Sequence, residues 1–303
     1  MRLIVNGQQA FGKAVLEALL ERGEDVVGIY CAPDKEGRPI DPIKTLALEK
    51  GLPIFQPATY KDPAVWEQMR SLKPDLCVMA YVIIFIPEEA LSVPTHGTIQ
   101  YHPSLLPLHR GPSSINWPII QGREKTGLSI FWPDNGLDEG PILLQKETEI
   151  SSDDTLGSIY FNRLFPMGVA AMMEAIDLVR DGKAPKIPQD NSQFTYESWC
   201  RKKDAEIDWS KPSSTVYNLI RGTNPQPGAW TTFQGKTVQV FDSTREDGDG
   251  TPGTVVAIDP ESFSVAAGRG RIVVKRVRSE GEGKVAAAEF AATVGLQKGA
   301  KFG

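Results

Sequence analysis

Gly97-Thr98-Ile99-Gln100-Tyr101-His102-Pro103-Ser104-Leu105-Leu106-Pro107 runs a β-branched, apolar segment straight into a proline-rich turn. That pattern reads as a strand whose carboxyl end falls at His102. Side chains alternate along a strand with period two, so Gln100 and His102 share one side of it. In open α/β sheets ligands lie beyond the carboxyl ends of the strands, which is where this pair stands. A further strand pattern, Leu128 to Trp132, leads into Pro133-Asp134-Asn135-Gly136-Leu137-Asp138-Glu139-Gly140, an acidic Gly-rich loop.

Outward from this centre the chain alternates strand and helix. Leu3-Ile4-Val5 is a short apolar run, and Phe11, Val15, Leu16, Leu19 and Leu20 then recur at helical spacing up to Gly23. Asp25 to Cys31, Pro53 to Phe55 and Leu76 to Tyr81 supply further strands, the last buried on both faces as parallel strands are. Such alternation predicts an α/β, Rossmann-like, mostly parallel sheet with helices on its faces. Gly7 and Gly12 flank the first turn, but Gly7-Gln8-Gln9-Ala10-Phe11-Gly12 lacks the middle glycine of GxGxxG. The backbone then cannot approach a pyrophosphate closely, so the turn reads as helix-on-sheet packing and NAD is not expected. Val82-Ile83-Ile84-Phe85-Ile86-Pro87 is too apolar for an exposed loop; it either fills core or lines a pocket for a flat ligand.

Pro112 to Trp117 reads as a helix entry with serines as caps. A long helix pattern runs from Ser152 to Gly182, with Pro166 and Gly168 set to kink or split it. Pro185 to about Lys203 is connector-like, with Tyr196 and Trp199 as expected anchors to the first domain. After a short helix pattern from Val216 to Arg221, turn-rich strands at Thr237–Phe241, 253–258, 262–266 and 271–277 suggest a small C-terminal open β-barrel. The expected division is 1–184 catalytic domain, 185–204 linker and 205–303 barrel domain.

Composition narrows the partners. A formal charge of −5 does not advertise a polyanion, so nucleic acid would have to be met by a local patch. Arg269, Arg271, Lys275, Arg276 and Arg278 form one basic cluster, which reads first as a solvated edge strand. Cys31, Cys77 and Cys200 are odd in number and far apart, which fits a reducing compartment. No apolar run approaches the ~18 residues a membrane span needs, and the expectation is a cytoplasmic protein without a membrane partner. Three histidines, none at HxxxH spacing, argue against a metal site. Ser104 lacks the GxSxG context of a covalent serine mechanism.

Carbonyl transfer needs a group to take a proton from the nucleophile and a donor for the developing oxyanion. His102 is a base type, Gln100 an amide donor type, and Asp138 a carboxylate able to orient an imidazole. Asp138 could equally bond the amides of its own loop, as aspartates in turns do. His109 and Arg110 could form a second pair, although adjacent in a loop they read first as solvent-facing charges.

His102-Pro103-Ser104-Leu105-Leu106-Pro107 with Arg110-Gly111, and Asp138 within Gly136 to Gly140, resemble the folate-dependent formyltransferase family. Ile207-Asp208-Trp209 and Asn224-Pro225-Gln226-Pro227-Gly228-Ala229-Trp230 resemble the C-terminal OB-like barrel of that family, so the likeness covers nearly the whole chain. Tyr101-His102-Pro103, Ile115-Asn116-Trp117, Ser129 to Trp132, Phe85-Ile86-Pro87 and Leu164-Phe165-Pro166 look most like the hydrolase domain of 10-formyltetrahydrofolate dehydrogenase. The resemblance implies 10-formyltetrahydrofolate as co-substrate, His102 as general base and Asp138 as its orienting carboxylate. It implies that Ile83, Ile84, Phe85 and Ile86, with Pro133, Asp134, Gly136 and Leu137, hold the pterin. Gln100 departs from the pattern, since transferases of the family carry Asn there and the hydrolase domain an apolar residue. The acceptor implied is water or a thiol on a separate carrier; the alternatives are an amine of methionyl-tRNA or of an amino sugar nucleotide, and a folate-binding protein without efficient turnover. Charge weighs against tRNA: the loop after the second strand sets Asp34, Glu36 and Asp41 against Lys35, Arg38 and Lys44.

Overall fold

The computed structural model describes residues 1–303. Seven strands form one sheet: β1 (Arg2–Gly7), β2 (Asp25–Tyr30), β3 (Ile54–Phe55), β4 (Leu76–Ala80), β5 (Thr98–His102), β6 (Lys125–Phe131) and β7 (Ile142–Glu149). Their order is β3-β2-β1-β4-β5-β6-β7. From β3 to β5 every pairing is parallel, and β6 then runs antiparallel to β5 with Gln100 opposite Phe131 and His102 opposite Ser129. The strand order reverses between β1 and β4, as the alternating pattern requires of a doubly wound sheet. Helices α1 (Gln9–Glu21), α2 (Pro42–Glu49), α3 (Pro63–Ser71), α4 (Glu88–Leu91), α5 (Asn116–Ile120), α6 (Leu156–Ile159) and α7 (Phe165–Arg180) are interspersed.

The first turn behaves as its sequence predicts. A Cβ on Gly7 would lie 2.6 Å from the Ala80 carbonyl oxygen and one on Gly12 3.1 Å from the Gly7 carbonyl carbon, so both glycines let α1 sit down on β1 and β4. Phe11, Val15, Leu16 and Leu19 are the buried face of α1, each worth about 1.5–3 kcal/mol once removed from water. Phe11 stacks on Tyr101 with ring centroids 4.3 Å apart and meets Phe165 edge-on at 5.4 Å. Tyr101 thereby fixes the inner side of β5, while Gln100 and His102 emerge on the other.

The chain divides into two compact units: residues 1–114, 127–148 and 162–197, and residues 115–126, 149–161 and 198–303. The second unit holds α8 (Ser213–Gly222), α9 (Ala287–Val294) and eight strands, and all of these but one strand contribute to one core. The strands are β8 (Ala229–Phe233), β9 (Lys236–Val240), β10 (Ser243–Glu246), β11 (Val255–Ile258), β12 (Phe263–Ala266), β13 (Arg271–Val274), β14 (Arg276–Ser279) and β15 (Lys284–Ala286). They make two four-stranded sheets, β10-β13-β12-β11 and β15-β14-β9-β8, in which neighbouring strands run antiparallel throughout. Phe233, Phe263, Phe290 and Phe302 pack against one another at its centre. No helix of the chain is long and apolar enough to cross a membrane.

Several expectations need correction. The helix after Pro112 begins at Asn116 with Ile115 at its N-cap and no side-chain cap, so Ser113 and Ser114 do not cap it; both are buried instead. Tyr196 is about half exposed, yet it is held to the first unit by an isolated bridge to Arg110, while Trp199, also about half exposed, falls in the second unit. The basic cluster is not an edge, because β13 and β14 are interior strands of their sheets. Two of its five charges have a carboxylate partner, Arg271 with Glu246 at 2.8 Å and Arg276 with Asp242 at 3.6 Å, and Arg278 donates to the neutral Gln239.

Candidate active site

The turn after β5 is what brings the site together. Ser129, opposite His102, accepts from the Leu106 amide (3.1 Å) and from Gln145 Nε2 (2.9 Å), and donates to the Ser104 carbonyl (2.7 Å). Ser104 Oγ donates in turn to the Leu108 carbonyl at 2.6 Å. The serine of the His-Pro-Ser motif is therefore a turn residue, consistent with its lack of a nucleophile's context. This fold-back delivers the His109 carbonyl to His102, whose Nε2 lies 2.9 Å from it. The other ring nitrogen, Nδ1, lies 3.6 Å from Asp138 Oδ2, with His102 and Asp138 both buried. Phe131 meets the imidazole edge-on at 6.5 Å between centroids.

Asp138 is aimed by backbone strain and by groups distant in sequence. It sits at φ +55, a left-handed conformation costly for a residue with a side chain. Its Oδ2 accepts from the Gly111 amide at 2.9 Å, so it does not spend itself on its own loop. Gln189 Nε2 donates to the carbonyls of Asp138 and Gly140, both at 2.8 Å. Gln189 Oε1 accepts from Arg110 Nε (3.2 Å) and Nη2 (2.7 Å), and Arg110 Nη2 also donates to Asn191 Oδ1 (2.6 Å). Gly111 can serve only because it has no Cβ, which would sit 2.5 Å from the Glu197 carbonyl at a φ of +103.

His109 and Arg110 are thus not solvent-facing: they are 6% and 4% exposed, with His109 Nδ1 3.1 Å from Glu197 Oε2. Gln189, Asn191 and Glu197 were missed in the sequence because they lie in the connector-like stretch and reach back about 80 residues. No periodicity or short motif marks such contacts.

The two loops expected to hold a flat ligand are tied to each other. Asn135 Oδ1 accepts from the Glu88 amide (3.1 Å), and its Nδ2 donates to Glu88 Oε2 (3.0 Å). Asp134 Oδ1 accepts from the Gly136 amide at 2.9 Å, which tightens the turn. Of the first loop, Ile86 is buried and Ile84 half-buried, while Ile83 and Phe85 are 59% and 54% exposed. On the second, Pro133 is half-buried and Leu137 is 54% exposed. Exposed large apolar side chains on neighbouring loops are the kind of surface a ligand covers. The recess behind Ile83 and Ile84 measures about 10 Å³, room for a water at most.

Gln100 is half-buried beside these groups, and no hydrogen bond within the protein engages its carboxamide. The constellation is therefore an imidazole held between a carbonyl and a carboxylate, with an uncommitted amide on the same strand.

Residues 1–176 match the formyl transferase family, and residues 200–295 match its C-terminal domain. The chain is 41% identical over 263 residues to the human mitochondrial 10-formyltetrahydrofolate dehydrogenase, a match covering 85% of this chain and 28% of that protein. Against the cytosolic human dehydrogenase identity is 43% over 249 residues, 80% of this chain and again 28% of the relative. The chain thus spans little more than a quarter of these relatives. It is 37% identical to a methionyl-tRNA formyltransferase of Geotalea uraniireducens, over 100% of this chain and 98% of that one. Among solved structures, HypX from Aquifex aeolicus in complex with tetrahydrofolic acid shares the fold at a TM-score of 0.68 and 20% identity, covering 96% of this chain and 47% of HypX. An N-formyltransferase from Helicobacter canadensis, solved with folinic acid and dTDP-3-aminofucose, does so at 0.70 and 18%, covering 90% and 99%. The strand order, the C-terminal antiparallel sheets and both family matches agree, and the chain belongs to the formyl transferase family.

Proposed function

We propose that this protein takes the formyl group from 10-formyltetrahydrofolate and passes it to water or to a thiol on a separate carrier, releasing tetrahydrofolate. The observation that carries the reading is the buried His102–Asp138 pair at the end of β5. A single ring hydrogen on Nε2 donates to the His109 carbonyl and leaves the lone pair on Nδ1. A proton taken there from the attacking group makes the ring cationic, with the Asp138 carboxylate beside it to balance the charge. Gln100 supplies the amide donor for the oxygen of the tetrahedral species. The same proton then serves the nitrogen that leaves.

The folate supplies the formyl carbon. Ile83, Phe85 and Leu137 offer apolar surface for its pterin, and Ile84, Ile86, Pro133, Asp134 and Gly136 shape the two loops that present it. Catalysis is assigned to residues 1–184, with 185–204 as connector and 205–303 as the barrel domain. Water or thiol is favoured as acceptor by the 41–43% identity to the dehydrogenases and by the formal net charge of −5.

The full-length likeness to a methionyl-tRNA formyltransferase favours a second reading, in which an amine accepts the group. Purified protein incubated with 10-formyltetrahydrofolate, with and without thiols, should release tetrahydrofolate. His102→Ala should lower kcat by about 10²–10⁴-fold with folate affinity retained. Rapid formylation of methionyl-tRNA or of an amino sugar nucleotide, without turnover on water or any thiol, sinks the hydrolase assignment. No wild-type turnover on any acceptor would leave a folate-binding protein.

A further inference from the structure

The chain as a whole is acidic, at a formal −5, yet one cleft within the second unit is lined the other way. It encloses about 520 Å³ between residues 122–125, residues 149–152, α8 and β10. From α8 it takes Ser214, Tyr217, Asn218 and Arg221, spaced so that they form a single helical face. Arg123, Lys125 and Arg245 join Arg221, against the two carboxylates of Glu124 and Glu149.

Arg221 is the unusual member, because it is only 7% exposed and has no acidic side chain among its hydrogen-bond partners. Nε donates to Asn218 Oδ1 (2.9 Å), and Nη1 donates to the carbonyls of Ser151 (3.1 Å) and Asp154 (3.2 Å). Nη2 has no hydrogen bond within the protein. The nearby carboxylates are engaged elsewhere. Asp154 accepts from the Ser151 amide (2.7 Å), from Ser151 Oγ (2.8 Å) and from Ser158 Oγ (2.9 Å), while Asp153 bonds the Tyr217 hydroxyl. Burial, the largest cause, lowers the Arg221 pKa, and the like charge of Arg245 adds to that against the opposing pull of Tyr217, Asp154 and Asp153. A buried guanidinium whose neighbouring carboxylates, Asp153 and Asp154, are bonded to other groups keeps donor capacity that a ligand can use.

We propose that this cleft binds a phosphate monoester of nucleotide size, with Arg221 and Arg245 as donors to the phosphoryl oxygens. The side chains lining the cleft include four cations against two carboxylates, and the tetrahedral oxygens of a phosphate can accept from several sides at once. The hydroxyls of Ser152 and Ser214 line the cleft and make no hydrogen bond within the protein, so they complete the donor set. A volume of this size suits a nucleoside attached to the phosphate rather than the bare ion. None of these residues belongs to the His102 site, so the assignment stands or falls separately from formyl transfer.

Calorimetric titration of the whole chain at constant ionic strength tests it, with adenosine 5′-monophosphate, inorganic phosphate, adenosine and sodium chloride as titrants. The monophosphate should bind saturably, one per chain and tighter than inorganic phosphate, while adenosine and chloride should not. Arg245→Ala, at an exposed position, should weaken binding by about tenfold or more while leaving folate turnover without the ligand unchanged. Arg221→Lys, which keeps the charge but not the fork, should weaken it similarly, with circular dichroism confirming the fold. No saturation by the monophosphate at millimolar concentrations, equal binding of adenosine, or unchanged affinity in Arg245→Ala would overturn the proposal. Saturable binding of tRNA without binding of the monophosphate would likewise overturn the small-ligand assignment.

Discussion

At the residue scale the question is how an amide and a carboxylate divide the work around one imidazole. Asp138 spends one oxygen on both the Gly111 amide and the His102 ring. Asp138→Asn keeps an acceptor for Gly111 but removes the charge beside the ring. We expect kcat to fall by about 10²-fold or more while folate affinity holds, measured by steady-state release of tetrahydrofolate. Gln100 is longer by one methylene than the Asn that its position implies in transferases of the family. Its amide is uncommitted, so Gln100→Ala should cost about 10²–10³ in kcat as an oxyanion donor would. A rise in KM for the acceptor with kcat unchanged would instead make Gln100 an acceptor-positioning residue. His102, Gln100 and Asp138 were all legible as residue types, because strand periodicity places the first two and an acidic turn presents the third. The Asp138 alternative, bonding its own loop, could be decided only by the Gly111 contact, which joins residues 27 positions apart.

At the element scale, the strands and loops that aim the site depend on the stretch after α7. Residues 189–197 lack regular secondary structure apart from an isolated bridge at Tyr196, and they turn their polar side chains on the loop after β6. Gln189 alone makes four hydrogen bonds there, two as donor and two as acceptor. Gln189→Leu keeps the volume but leaves the Asp138 and Gly140 carbonyls and part of Arg110 unsatisfied. It should destabilise the protein by about 1–3 kcal/mol and lower kcat by about 10 to 10²-fold, because Asp138 loses its brace. Urea unfolding together with turnover separates the two effects; unchanged kcat in a fully folded variant would count against a positioning role. The long helix pattern expected from Ser152 broke where Pro166 said it should: α6 ends at Ile159, a π-turn covers Tyr160–Leu164, and α7 takes Pro166 in its first turn. By contrast β10 and β15 were not legible, being short polar or small-residue strands whose pairing rather than composition defines them, and β8 is absent from the expected strands although Ala229 to Phe233 alternates as a strand does.

For the whole molecule, the three cysteines bear on how it tolerates oxidants and thiols. Burial pushes the Cys31 and Cys200 thiols up to about 11 and Cys77 up to about 12. A raised thiol pKa means the reactive thiolate is scarce below that value: at pH 8 about one molecule in 10³ or fewer carries it at any one position. Iodoacetamide at pH 8 should therefore leave turnover intact over a period that fully alkylates free glutathione, and rapid inactivation would refute the assignment of unreactive thiols. By itself the sequence determined the mostly parallel sheet, the glycine-lined first turn, the run of short C-terminal strands and the residue types of the candidate site. Those are properties of local period and turn chemistry, which each stretch of chain carries within itself. Only the tertiary structure decided that His109 and Arg110 turn inward, that Gln189 and Asn191 brace the site, and that Arg221 is buried without a carboxylate partner. Each of those outcomes is a hydrogen bond or a burial between residues about 70 to 90 positions apart, and a one-dimensional pattern holds no record of which distant groups the fold brings into hydrogen-bond reach.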